Sequence, residues 1–397
     1  MSEWLRELLS ARDLAEYIMQ ALRVAGGDRR LILSVTPVTQ MRMKFRMRTR
    51  SMHASCRLSA QWMSSNSEVI NIPSYNGVFD WQALMEEASK EVEPLKGTGK
   101  VASYIPELAK VDPKQFGASM VTVDGSVFSV GDAQTSFSIQ SVSKVFSLML
   151  AMTYVQDGLW SHVGREPSGN PFNSLIQLEH EKGIPRNPFI NAGAIVVADV
   201  LQKHCSSACM LSPHSSTRRH VDGASDAVLE LLQFLSGNPD ISVDQAVAAS
   251  EKKTGHRNYA LTHFMASCGN IQNPVDVVLD EYFKQCSISM NCTDLSKVGV
   301  LLARQGRDLN GKQLLEAKIS KRIQAIMMTC GTYDAAGEMA YRIGLPCKSG
   351  VGGGILAIFP RVGAVTVWSP GLDSYGNSVA GVAFLDQLTT KSGFSVF

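Results

Sequence analysis

Ala118-Ser-Met-Val-Thr-Val123, Asp124-Gly125 and Ser126-Val-Phe-Ser-Val130 spell two alternating strands joined by a dipeptide that strongly marks a tight hairpin. Towards the other end, Gly354-Ile-Leu-Ala-Ile-Phe359 and Ala364-Val-Thr-Val-Trp368 flank Pro360-Arg361-Val362-Gly363 and read as a second pair. Between the two pairs the apolar periodicity is mostly helical, over 142–157, 192–203, 226–236, 243–254, 274–286, 293–305 and 319–330. Further helices are expected at 80–90, where Trp81, Leu84, Met85 and Ala88 share a face, and at 374–389. Strands at both ends with helices between them are most simply satisfied by one antiparallel sheet built from both termini and covered by helices. That is an α+β arrangement, and it brings residues distant in sequence to one cleft.

The bulk properties suit a globular protein. Of 397 residues, 45% are hydrophobic and 19% charged, enough to bury a sizeable core. A net charge of +2 predicts no general attraction to nucleic acid or membrane. No window approaches the roughly eighteen apolar residues of a membrane helix. Charge is uneven, however: 29–67 holds Arg29, Arg30, Arg42, Lys44, Arg46, Arg48, Arg50 and Arg57 and no acid. Such a stretch resembles an organelle transit segment, mitochondrial in a eukaryote, yet an amphipathic helix over 1–26 precedes it. The reading adopted is a basic, mobile leader over 1–76, a catalytic domain over 77–397, and a polar insertion near 203–225. Cys56, Cys205, Cys209, Cys268, Cys286, Cys292, Cys330 and Cys347 contain no Cys-x-x-Cys pair. They fit buried thiols of a reduced, cytoplasmic protein. His204, Cys205, Cys209, His214 and His220 approach zinc-ligand spacing, but the serines around them read as a loop, so no metal is expected.

Chemistry enters at Phe137-Ser-Ile-Gln-Ser141-Val-Ser-Lys144, where the first hairpin gives way to a helix. Residues three apart on a helix share a face, so Ser141 and Lys144 can meet. A serine hydroxyl needs a base, and a lysine serves when burial lowers its pKa. A helix start adds free N–H groups suited to an oxyanion. The spacing is common: Ser250 and Lys253 share it, and Ser141 reads equally as a helix cap with Lys144 exposed. Lys348-Ser349-Gly350 before an apolar strand changes the weighting. An early Ser-x-x-Lys with a late Lys-[Ser/Thr]-Gly is the pair used by penicillin-recognising serine enzymes.

From about residue 99 onward the chain resembles the glutaminases of the bacterial and kidney/liver type. The resemblance rests on Val101-Ala-Ser-Tyr-Ile-Pro-Glu-Leu-Ala109, Ser138-Ile-Gln-Ser-Val-Ser-Lys144, Val163-Gly-Arg-Glu-Pro-Ser-Gly-Asn-Pro-Phe-Asn173 and Asn187-Pro-Phe-Ile-Asn-Ala-Gly-Ala-Ile195. It continues through Gly255-His-Arg-Asn-Tyr-Ala260, Cys330-Gly-Thr-Tyr-Asp334 and Lys348-Ser-Gly-Val-Gly-Gly-Gly354. It implies a β-lactamase/penicillin-binding-like fold and hydrolysis of L-glutamine to L-glutamate and ammonia, with no cofactor, in a homodimer or homotetramer. Ser141 would be the acylated nucleophile, Lys144 its base, and the N–H groups of Ser141 and Val351 the oxyanion hole. Asn191, Glu251, Asn258, Tyr282, Tyr333 and Val351 match substrate-binding positions, and Tyr104 is expected to line the pocket.

The residue types suit a zwitterion. Glu251 is the partner for the α-ammonium, and Asn191 and Asn258 for the α-carboxylate and amide. Tyr282 and Tyr333 would donate to substrate or pass a proton to ammonia. Taken singly, these residues also read as a solvated helix acid, turn residues and core tyrosines. Two rivals remain: a β-lactamase-like hydrolase, which would use Ser168-Gly-Asn170 or Ser236-Gly-Asn238 on the cleft wall, and a non-catalytic amino-acid sensor.

Overall fold

A computed structural model describes residues 79–169, 174–205 and 223–397. The expected leader over 1–76, the ligand-like Cys209, His214 and His220, and most of the insertion near 203–225 lie outside the described residues.

The elements form for local reasons. Helix α1, Trp81–Glu91, starts where the Asp80 side chain accepts from Ala83 N, and it buries Trp81, Met85 and Ala88. Strands β1, Gly117–Thr122, and β2, Val127–Gly131, pair with Val121 opposite Val127. The Asp124-Gly125 turn between them needs φ +90° at Gly125. After the two-residue β3, Phe137–Ser138, and a 3₁₀ turn, Gln140–Val142, comes α2, Ser143–Val155. There follow α3, Leu175–His180, and α4, Asn191–Cys205. Next are α5, Ala224–Ser236, β4, Ser242–Val243, α6, Gln245–Thr254, α7, His256–Ser267, and α8, Val275–Cys286. Then come β5, Ile288–Met290, α9, Cys292–Ala303, α10, Ala317–Cys330, and α11, Ala336–Arg342. Strands β6, Cys347–Ser349, β7, Gly354–Phe359, and β8, Gly363–Trp368, precede the last helix, α12, Val379–Ser392.

The main sheet has the order β2-β1-β8-β7-β6 and is antiparallel throughout. The two ends of the domain therefore meet where β1 pairs with β8, Gly117 opposite Trp368. Both faces are covered, which is why β7 reads as an unbroken apolar run. Its Ile355, Ala357 and Phe359 pack with Trp81, Met85, Phe384 and Leu388 of α1 and α12. Leu356 and Ile358 point to the other side and join the helical core. There α9 lies so close that a Cβ on Gly299 would fall 2.8 Å from side-chain carbons of Ala364 and Leu356. Each large apolar side chain fully buried this way contributes roughly 1.5–3 kcal/mol.

Several features differ from the sequence reading, which did not include α3, α11 or β6. A second sheet, β3-β5-β4, crosses the helical region. Its strands of two or three residues are too short to carry a period. Helix α7 was not expected, because Gly255 reads as an end and only Leu261, Thr262 and Met265 are buried along it. The last helix begins at Val379 rather than 374. Before it, Asp373 Oδ1 accepts from Tyr375 N and Asn377 N in a turn closed by Gly376 at φ +93°.

Candidate active site

Ser141 sits in the 3₁₀ turn between β3 and α2, and Lys144 lies in the first turn of α2. Three residues complete a 3₁₀ turn, so this junction keeps the two on the same side of the chain. Val142, at the cap of α2, offers no side-chain acceptor, and the Ser143 N–H donates back to Gln140 O in the 3₁₀ turn instead. Ser141 is 8% exposed and Lys144 3%. The reading of Lys144 as a solvent-facing residue is thus excluded. Its Nζ donates to Asn191 Oδ1 at 2.7 Å and to Phe189 O at 3.3 Å. Asn191, at the start of α4, donates from Nδ2 to Asn258 Oδ1 of α7 at 3.1 Å. One chain of hydrogen bonds so links the first turns of three helices.

A cavity of about 230 Å³ opens over this chain, and Ser141, Asn191, Glu251, Asn258, Tyr282, Tyr333, Val351 and Tyr104 all line it. Of the expected residues, only Lys144 is not on its wall. Tyr104 stands at the rim, 60% exposed. Tyr333 takes φ +57°, a left-handed conformation costly for a bulky residue. From there its side chain hydrogen-bonds Ser141, and its hydroxyl donates to Ser349 O at 3.4 Å. Val351 lies in the β6–β7 turn, which is bare of side chains where it meets the Ser141 turn. A Cβ on Gly350 would be 2.5 Å from Ile139 O and 3.2 Å from Ser141 N; one on Gly352 would be 2.2 Å from Ser138 O. Only glycines permit that approach.

Burial sets the ionisation of the site. It lowers the Lys144 amine to about 8, against the opposing pull of Cys286 and Glu251. It raises Glu251 to about 7, while a hydrogen bond with the Gln140 side chain and the charge of Lys144 act the other way. Glu251 Oε1 is buried with no hydrogen-bond partner among the described residues. Tyr282 and Tyr333 are pushed above the usual phenol range by burial and so stay protonated donors. Lys348 is wholly buried with its pKa driven well down by desolvation and then by Lys144. Its Nζ donates to Ser349 O at 2.6 Å and lies 4.9 Å from the centre of the Tyr333 ring.

Several wall residues were not singled out from sequence. Gln140 precedes Ser141 at φ +48°, which nothing in a glutamine signals. Cys286, one turn beyond Tyr282, reads as an ordinary thiol; burial pushes it up to about 12 and keeps it protonated. Arg257 hides beside the more conspicuous Asn258. The second Ser-x-x-Lys is a coincidence of spacing, since Lys253 is exposed on α6. Neither Ser168 nor Ser236 reaches the cavity. Ser168 Oγ donates to Gln177 Oε1, and the residues after Ser236 cap α5 and bind Asp294. A larger hollow of about 850 Å³, walled partly by Lys318, Lys321 and Arg361, lies elsewhere and collects none of these converging groups. Size does not identify this site.

A sequence profile of the glutaminase family matches residues 99–397. A glutaminase of Streptomyces coelicolor is 53% identical over 320 residues, covering 80% of this chain and 98% of that protein. One of Rhizobium johnstonii is 50% identical over 319 residues, covering 80% and 99%. Among solved structures, the probable glutaminase YbaS superposes with a TM-score of 0.70 at 34% identity, over 79% of this chain and 98% of that one. The Bacillus subtilis glutaminase in covalent complex with 5-oxo-L-norleucine, formed by its reaction with 6-diazo-5-oxo-L-norleucine, superposes with a TM-score of 0.68 at 28% identity, over 80% and 99%. The fold is accordingly the β-lactamase-like one. With a matching profile and relatives half identical along four-fifths of its length, the chain belongs to the glutaminase family.

Proposed function

We propose that this cavity takes L-glutamine and hydrolyses its side-chain amide to L-glutamate and ammonia through an ester on Ser141. The observation that carries this reading is the convergence, on the wall of one cavity, of Ser141, its partner Tyr333 and the buried acid Glu251, with the buried Lys144 hydrogen-bonded to the wall residue Asn191. The covalent adduct of the Bacillus subtilis relative supports a nucleophile in such a site.

The bond changes balance without a cofactor. Neutral Lys144 takes the Ser141 proton as Oγ bonds to the amide carbon, and the carbonyl oxygen becomes an oxyanion facing the N–H groups of Ser141 and Val351. Protonated Lys144 returns the proton, relayed by Tyr333 or Tyr282, to the amide nitrogen; the C–N bond breaks and ammonia leaves. Water then loses a proton to Lys144 and attacks the ester, and Ser141 leaves with its proton restored. Glu251 faces the α-ammonium, and Asn191 and Asn258 hold the polar head of the substrate. Residues 77–397 act as the catalytic domain, and the protein works as a cytoplasmic homodimer or homotetramer.

Ser141→Ala tests this. Ammonia release falls by roughly three orders of magnitude or more while the thermal melt is kept. Unchanged release removes Ser141 from the chemistry.

A further inference from the structure

Asn377 lies off the cavity wall, wholly buried just ahead of Ser378, the cap of α12. Its Oδ1 accepts from Ser349 Oγ of β6 at 2.6 Å, and its Nδ2 donates to Thr332 O at 3.4 Å. A backbone carbonyl offers only lone pairs, so Thr332 O fixes the NH2 end of the amide on its side and leaves the oxygen for the Ser349 hydroxyl. Asn377 is itself fastened to the scaffold. Its N donates to Asp373 Oδ1 at 2.9 Å, and Asp373 N donates to its O at 2.8 Å. Next to it, Ser378 Oγ donates to Ser369 O at 2.7 Å and accepts from Gly381 N at 3.1 Å.

These contacts converge on Tyr333, whose side chain hydrogen-bonds Ser141. Thr332 O belongs to the peptide group whose rotation about the Tyr333 N–Cα bond is the Tyr333 φ. Bonds from Asn377 and, at 3.2 Å, from Ala335 N pin that group where φ is +57°. The Tyr333 hydroxyl donates to Ser349 O, and the bond from Ser349 Oγ to Asn377 holds that residue in turn. Gly376, at φ +93°, lays bare backbone against the ring, since a Cβ there would lie 3.5 Å from Tyr333 Cε2. A left-handed bulky residue persists only where its surroundings over-determine it. Here the backbone, the ring and the hydroxyl of Tyr333 are each held from the Asp373–Asn377 turn.

We propose that Asn377 is a positioning residue, which keeps the Tyr333 hydroxyl beside Ser141 so that a proton reaches the departing nitrogen. This rests on the reading of the cavity as a glutamine site with Tyr333 in the proton relay. An amide nitrogen must gain a proton before its C–N bond breaks. An ester oxygen can leave as an alkoxide and take its proton from water afterwards. Asn377 therefore matters far more for amides than for esters.

The test measures kcat/KM for L-glutamine, as ammonia, and for L-glutamate γ-methyl ester, as methanol, in wild type, Asn377→Ala and Ser349→Ala. A displacement of roughly 1 Å at a reacting group costs on the order of 100-fold in rate. Asn377→Ala is expected to lose roughly 10- to 100-fold on the amide and less than about threefold on the ester. Equal losses on both substrates overturn the proposal, because a generally damaged site treats them alike; so does an unchanged rate on the amide. Ser349→Ala removes one support and shows the same selectivity with a smaller loss, and it carries the test if Asn377→Ala does not fold. A crystal structure of the folded variant decides without reference to activity. The Tyr333 hydroxyl is expected to move away from Ser349 O, and a Tyr333 left in place overturns the proposal. If wild type hydrolyses neither substrate, the glutamine reading fails, while the position of Tyr333 still decides Asn377.

Discussion

Replacing Gly352 by alanine would put a methyl carbon 2.2 Å from Ser138 O, against backbone rather than a yielding side chain. The β6–β7 turn cannot easily retreat, because Trp368 Nε1 donates to Gly352 O at 2.9 Å and Ser369 N to Gly353 O at 3.1 Å. Relief falls on the segment that carries Ser141. Restoring an ordinary contact needs a displacement of roughly 1 Å, which at a reacting centre costs on the order of 100-fold in rate. Parting the N–H groups of Ser141 and Val351 also removes the equivalent of one oxyanion donor, worth about 2.7–4 kcal/mol. The expected result is a fall in kcat of roughly 100- to 1000-fold with KM little changed. Gly337→Ala is the control: a Cβ there meets nothing within 4 Å. It is expected to leave kcat alone and add under about 1 kcal/mol of stability. The assay is steady-state ammonia release with circular dichroism melts of all three proteins. Gly352→Ala retaining kcat within about threefold of wild type, at an unchanged melt, would falsify the claim that this turn fixes the nucleophile.

Two further outcomes follow from ionisation and packing. With Lys144 at about 8 and Glu251 at about 7, the active form has the amine neutral and the carboxylate charged, both favoured by rising pH. Log kcat/KM should climb with a slope approaching two below the Glu251 value, about one between the two, and flatten above the Lys144 value; a profile flat across that window contradicts the roles given to both groups. On the far side of the sheet, Phe384 is fully buried with its ring 5.6 Å from that of Phe116. Phe384→Ala should cost about 3–5 kcal/mol in urea unfolding with kcat preserved, and a loss below about 1 kcal/mol would mean the site collapses around the gap.

The expected fold class and terminal hairpins match the structure, because both are written locally. Alternation over five or six residues fixes which side chains share a face, and an Asp-Gly pair fixes where the chain reverses. Helix boundaries drifted where side-chain turns such as that of Asp373 intervene, and two-residue strands left no periodic trace. The Ser141–Lys144 spacing was legible for the same local reason, although Ser250 and Lys253 display it without consequence.

Tertiary structure alone decided what that spacing means. Lys144 is buried, and held by Asn191 and Phe189, because α4 crosses α2. Glu251 carries an unpaired oxygen because α6 ends against a desolvated wall, and Gly352 must be glycine because a strand turn from the C-terminal half touches the turn of Ser141. Sequence sets the pattern of what one short segment can do, whereas burial and pKa depend on everything packed around a group, and those neighbours come from segments tens to hundreds of residues away.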